Sequence, residues 1–232
     1  MIRCLSVLPE VCRVSVADRQ DCDSWAERIN ELRRYWLRRR PGVDFFTLGA
    51  ATYLDASLSV GIYKILSDQF NPVLEQNFGD LFDRVVAVLE DFAGQDVVLD
   101  RNLALPGFHV FGDPFSISSR QLSQEAARLG GDKHVDSQYA YHSRYWESFS
   151  RVNHERLITF TMAIRLPRNG SGLHMYGDDD SRRYVPYEQG SAIVFDGLTP
   201  HSIPGRRIPD GDQRITLQAH GLEVEGKIRL FF

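Results

Sequence analysis

The hydrophobic period of this chain changes near residue 100, and that change limits the fold more than any other feature. Before it, apolar residues recur at helical spacing. Asp23 or Ser24 is placed to cap a helix carrying Trp25, Ile29, Leu32, Trp36 and Leu37, ending before Pro41-Gly42. A second helix is expected from Asn71-Pro72, a capping residue followed by proline in the first turn. Its apolar stripe runs from Val73 and Leu74 through Phe78, Leu81, Phe82, Val85, Val88 and Leu89 to Phe92, and Gly94 stands at its end. The apolar stretch Phe45 to Leu66 between these helices has no clear period.

From Leu105 onward the period is two. Strands are expected at Gly107–Gly112, Lys133–Ser137, Leu157–Leu166, Gly172–Tyr176, Arg183–Tyr187, Ser191–Phe195, His201–Ile203, Gln213–Ala219 and Lys227–Phe231. Gly and Asp/Asn breaks separate them, among them Asn169-Gly170, Asp178-Asp179-Asp180, Gln189-Gly190 and Pro209-Asp210-Gly211. Short strands at this spacing imply an α+β chain with a mainly β core, a jelly roll or closed barrel, with the N-terminal helices packed on one face. One domain is expected over residues 1–232, helical to about 102 and jelly roll from about 103.

Composition narrows the partners. The net charge of −4 argues against nucleic acid. No stretch is long and apolar enough to cross a membrane, and the first residues lack the apolar run of a signal peptide. Cys4, Cys12 and Cys22 match no zinc spacing and read as reduced thiols of an intracellular, cytoplasmic protein.

One triplet, His134-Val135-Asp136, has the form of a metal-ligand pair. On a strand His134 and Asp136 share a face while Val135 takes the other. Two imidazoles and one carboxylate leave three positions open on ferrous iron, the facial arrangement of oxygen chemistry. Seven histidines among 31 acidic residues produce about one such triplet by chance, so its surroundings must decide. Downstream stands Gly190, an apolar strand to Phe195, and His201 after a short loop. Next comes Gln213-Arg-Ile-Thr-Leu-Gln-Ala, where Arg214 and Thr216 share one face and Ile215 and Leu217 the other. An inward guanidinium in an apolar barrel is costly unless a carboxylate meets it. Its planar fork binds a carboxylate through two hydrogen bonds, and a hydroxyl two positions on adds a third.

Over roughly residues 105–220 the chain resembles the iron(II)- and 2-oxoglutarate-dependent dioxygenases with a double-stranded β-helix core. The likeness rests on His134-x-Asp136, the Gly170–Gly172 turn, the Gly190…Phe195…His201 segment and Arg214-x-Thr216. It implies that His134, Asp136 and His201 hold Fe(II), and that Arg214 and Thr216, with Thr161 as a further candidate, hold the distal carboxylate of 2-oxoglutarate. It also implies O2 as co-reactant, succinate and CO2 as products of the cosubstrate, and hydroxylation of a small molecule such as an amino acid or biosynthetic intermediate. Halogenating members lack the carboxylate that Asp136 supplies. Nucleic-acid demethylating members carry a second Arg where this chain has His220. A protein-residue hydroxylase and a non-catalytic cupin-type binding jelly roll are the alternatives.

His109, Gln138, Tyr141 and His174 are candidates for substrate contact from their places on or beside the expected site strands. His142, His154 and His220 have no partner pattern and read as surface or ordinary core residues. The run Arg33 to Arg40 reads as a solvated helix end, with arginine suited to a helix C-terminus, and a phosphate- or carrier-binding patch is the alternative.

Overall fold

The protein is described by a computed structural model covering residues 11–112, 132–177, 181–204 and 208–232. Cys4, the Asp178–Asp180 turn and Gly205–Arg207 of the loop before Arg214 lie outside these residues.

The strands, in chain order, are β1 (Cys12–Ser15), β2 (Leu37–Arg38), β3 (Phe45–Leu48), β4 (Val97–Leu99), β5 (Gly107–Phe111), β6 (Val152–Arg165), β7 (Gly172–Tyr176), β8 (Arg182–Pro186), β9 (Ser191–Asp196), β10 (His201–Ser202), β11 (Arg214–Val224) and β12 (Lys227–Phe231). They form a nine-stranded sheet with the path β1-β9-β6-β11-β5-β3-β2, to which β12 and β4 are attached, and a three-stranded sheet β10-β7-β8. In the large sheet β11 runs antiparallel to both β6 and β5, with Thr216 opposite Ala163 on one side and His109 on the other.

The expected helical region before residue 102 therefore needs correction, because it supplies β1 to β4 as well as helices. These strands are two to four residues long, and all four residues of β3 are buried. Short strands buried on both faces show no alternation to read.

Helix α1 spans Arg19–Glu31 and starts earlier than expected. Asp18, in extended conformation, caps it by accepting a hydrogen bond from the Asp21 amide at 2.9 Å. Asp23 instead accepts from the Gln189 side chain at 3.0 Å. Helix α2 spans Val60–Ala93, so Asn71-Pro72 lies inside it rather than at its start. The Asn71 side chain is taken up elsewhere: it donates to the Leu103 carbonyl at 2.8 Å and accepts from the Leu105 amide at 3.0 Å, tying α2 to the approach to β5. The helix leaves helical angles at Phe78 and ends at Gly94, whose φ of 65° is the left-handed conformation glycine adopts freely. No helix among the described residues is long and apolar enough to cross a membrane.

Both helices pack on one face of the large sheet. Trp25 and Ile29 of α1, Phe70, Leu74, Phe78 and Phe82 of α2, and Phe108, Phe160, Ile215 and Leu217 of the sheet belong to one buried cluster. Each such side chain contributes about 1.5–3 kcal/mol on burial. The basic run is not a helix end. Arg33–Tyr35 forms a 3₁₀ turn, Leu37–Arg38 is β2, and Arg39 is nearly buried.

Candidate active site

The opposite face of the large sheet carries the polar side chains. Period-two alternation places Ile215, Leu217 and Ala219 of β11 in the helix-side cluster, and so sends Arg214, Thr216, Gln218 and His220 the other way. Thr159 and Thr161 of β6 lie opposite His220 and Gln218. Together with β9 and the small sheet they enclose a cavity of about 670 Å³.

His134, Asp136 and His201 meet at its wall, with one ligand atom from each within 4.8 Å of the others. The expected strand Lys133–Ser137 is reduced to a single bridge. The His134 amide donates to the His201 carbonyl at 2.9 Å, and the His201 amide donates back at 2.8 Å. Asp136 is anchored separately, through its amide to the Gly197 carbonyl at 2.7 Å. Two backbone anchors, rather than regular alternation, bring the carboxylate beside the imidazoles.

The tautomers follow from hydrogen bonding. Nδ1 of His134 faces the Asp132 carbonyl, and Nδ1 of His201 lies 2.9 Å from the Thr199 carbonyl. A carbonyl only accepts, so both Nδ1 atoms carry a proton, which leaves Nε2 as the lone-pair atom of each ring in its neutral form. Those atoms lie 3.8 Å and 3.5 Å from the Asp136 carboxylate. Neutral rings so placed turn two lone pairs and an anion to one point, an arrangement that a cation between them satisfies. The donor set of two imidazoles and one carboxylate suits ferrous iron.

Asp136 stays ionised. Burial pushes its pKa up, but His220, His201 and the hydrogen bonds from Thr159 and Gln138 outweigh it and hold the group below the usual carboxylate value. Gln138 Nε2 donates to Oδ1 at 2.8 Å, and the Thr159 hydroxyl donates to Oδ2. Burial lowers the pKa of His201, with Asp136 opposing, so its ring is neutral at pH 7.

Arg214 is fully enclosed. Its guanidinium lies 3.8 Å from the centre of the Phe111 ring, and Nη1 donates to Ser171 Oγ at 3.2 Å. Nε has no hydrogen-bond partner, and no carboxylate pairs with the group among the described residues. Burial pushes its pKa down to about 10 against the pull of Tyr187, Tyr53 and Tyr184, leaving it cationic. An unpaired buried guanidinium is costly unless an anion meets it. Arg214 and Thr216 sit behind the cavity wall, which Phe111 and Tyr187 form at this point, whereas Thr161 lies on the wall itself.

Of the substrate-contact candidates, His109, Gln138 and Tyr141 line the cavity. His109 is buried, and its Nε2 lies 3.0 Å from the Tyr53 hydroxyl. Burial, then Arg214 and Arg39, drive its pKa well below 6.5, so it is neutral. Gln138 turns to Asp136, and Tyr141 is half exposed at the rim. His174 is not on the wall; its ring faces Tyr184 at 5.5 Å within the small sheet.

The structure adds residues that the sequence reading missed. His220 is buried on the wall with Nδ1 at 3.7 Å from Asp136. The signal was available, since His220 has the same parity as Arg214 on β11. Thr159 stands two positions before Thr161 on the same face of β6. Tyr53 sits on a π-helical turn, Thr52–Ala56, a feature often found at functional sites. Arg39 holds this turn by bonding Asp55 at 2.6 and 2.9 Å and Thr47 at 2.7 Å. Nothing in the apolar stretch around Tyr53 announces this role.

No protein-family model matches the chain, and no curated protein sequence matches it. Solved structures do. An N-substituted L-amino acid dioxygenase from Burkholderia ambifaria superposes with a TM-score of 0.56 at 10% identity, covering 96% of this chain and 86% of its own. The non-haem alpha-ketoglutarate-dependent epimerase SnoN of nogalamycin biosynthesis gives 0.54 at 15% identity, covering 91% and 76%. EvdO2 from Micromonospora carbonacea, complexed with 2-oxoglutarate, gives 0.52 at 13% identity, covering 94% and 88%. These likenesses show that the chain shares the fold of these proteins.

Proposed function

We propose that the chain is a non-haem iron(II)- and 2-oxoglutarate-dependent oxygenase that hydroxylates a small molecule. The observation that carries this reading is the meeting of three metal-ligand groups, the His134 and His201 imidazoles and the Asp136 carboxylate, in the wall of a cavity backed by Arg214, which has no carboxylate partner among the described residues. The shared fold supports it, since the SnoN and EvdO2 structures are described with this cosubstrate. The large and small sheets are read as the two halves of a double-stranded β-helix, and residues 1–232 as one catalytic domain.

His134, Asp136 and His201 would hold iron(II), which supplies activation of O2 coupled to oxidative decarboxylation of 2-oxoglutarate. The balance is substrate R–H, O2 and 2-oxoglutarate to R–OH, succinate and CO2. The chain's own residues position the partners. The Asp132 and Thr199 carbonyls fix both imidazoles as Nε2 ligands. Thr159 and Gln138 orient the carboxylate and keep it ionised. Arg214 receives the distal carboxylate of 2-oxoglutarate, with Thr216 and Thr161 as hydroxyl partners. Leu173, Phe195 and Phe45 keep the reacting region dry, while His109, Gln138 and Tyr141 face the substrate.

The cavity of about 670 Å³ suits a small molecule. The test is anaerobic addition of ferrous iron and 2-oxoglutarate. A visible metal-to-ligand charge-transfer band is expected, and its absence in folded protein removes the proposal.

A further inference from the structure

The basic run Arg33 to Arg40 is not uniform once its partners are assigned. Arg34 lies over the Tyr35 ring at 4.9 Å. Arg38 donates to the Val43 carbonyl at 2.8 Å and pairs with Asp44 at 3.3 Å, while packing on Phe46. Arg39 is taken up by Asp55, Thr47 and the Gly49 carbonyl. Arg40 differs. It stands in the turn between β2 and β3, is exposed, and lines the cavity, with no ionic or hydrogen-bond partner for its side chain among the described residues.

Apolar side chains share the wall with it, beside the committed Arg39 and Tyr53. Phe45, on the strand that follows, stacks on Phe111 with ring centres 4.4 Å apart, and Leu54 packs against them. The acidic members of the wall are Asp136, committed to the imidazoles, and Asp132, whose backbone carbonyl anchors His134. A guanidinium at the rim of an aromatic and aliphatic channel matches a ligand with an anionic end and an apolar body.

We propose that Arg40 is a specificity residue at the cavity rim that binds the carboxylate of an amphipathic substrate, whose apolar body lies along Phe45, Phe111 and Leu54 toward His134 and His201. This rests on the reading of the cavity as an oxygenase substrate pocket. It concerns a carboxylate other than that of 2-oxoglutarate, which is assigned to Arg214 behind the wall.

The test is ligand-observed NMR under anaerobic conditions with 2-oxoglutarate saturating, so that the Arg214 seat is filled and nothing turns over. The probes are aryl- and alkyl-alkanoic acids of graded length, such as 3-phenylpropanoate, each paired with its neutral amide. The acids are expected to bind about five-fold more tightly than their amides, the scale of an exposed ion pair. Arg40→Gln removes that preference and leaves amide binding unchanged, which also reports an intact pocket. Arg40→Lys retains part of it, and Arg34→Gln retains it in full. Equal binding of acid and amide, no binding by any acid, or a preference that survives Arg40→Gln overturns the proposal. The charge-transfer band keeps the two readings apart. A normal band without acid preference removes the Arg40 seat alone. Arg40-dependent acid binding without a band removes the oxygenase reading and leaves the seat standing.

Discussion

The two faces of the large sheet are made by the same strands and obey different rules. On the helix side β11 presents Ile215, Leu217 and Ala219 to a dry cluster shared with α1 and α2. On the cavity side, one residue out of step, it presents Arg214, Thr216, Gln218 and His220. One face obtains its energy from area removed from water, and the other gives up stability by burying polar groups along the cavity. A single strand can do both because its side chains alternate, and a register slip of one residue would exchange the faces.

The largest effect is expected on the helix side. Phe160→Ala, at a fully buried position, should destabilise the fold by about 3–5 kcal/mol in denaturant unfolding. A loss below about 1 kcal/mol would mean that this face is not the main source of stability.

Arg214→Met should act with the opposite sign. It removes an unpaired buried guanidinium, so thermal stability without ligands should hold or rise. The affinity for 2-oxoglutarate, followed by calorimetry, should fall by about 3 kcal/mol, or two orders of magnitude. Loss of stability with unchanged affinity would make Arg214 a structural residue and erase the contrast between the faces.

A pH effect of intermediate size comes from His142, outside the ligand set. Burial pushes its pKa down to about 4, with Asp100 opposing. The unfolded chain takes up this proton first as pH falls below 6.5. The stability is therefore complete above 6.5, declines as pH falls toward 4, and is fully lost below that. His142→Gln should flatten the slope of melting temperature against pH in this window. An unchanged slope would show that His142 is not a source of the acid sensitivity. The smallest change is expected for Thr161→Ser on the cavity wall, below about 0.5 kcal/mol in stability. A larger loss would mean that the wall also carries packing energy.

The second half of the chain was legible because its strands are longer, are bounded by Gly and Asp/Asn breaks and, as in β11, alternate apolar with polar residue types; the expected Gly172–Tyr176 and Lys227–Phe231 have the observed limits. The first half was not. β3 is buried throughout and β2 has two residues, so neither offers a period. Pro72 resembles a helix start in sequence, and only the Asn71 contacts with Leu103 and Leu105 explain why it is not one. In the site, residue type and order brought out His134, Asp136 and His201, which the fold places together, but the route by which Asp136 arrives is a pair of backbone anchors invisible to alternation. His220 was missed by judging it singly rather than by its parity with Arg214. Tyr53 depends on Arg39 and Asp55, a long-range pairing that no local pattern carries.

The pairing of β1 with β9 joins Cys12 to Val194 and Ser15 to Ser191. During synthesis the earlier strand emerges long before its partner exists. Once β9 has paired with β6, and until β1 docks on it, an apolar sheet border stands open, the form of surface on which chains aggregate. Once docked, β1 covers that border with a short strand bearing Arg13, which pairs with Glu188, and the opposite border ends in the two residues of β2, one of them Arg38. Both ends of the main strand path are thus short and charged, so β1 and β2 guard those two borders against growth into a larger sheet.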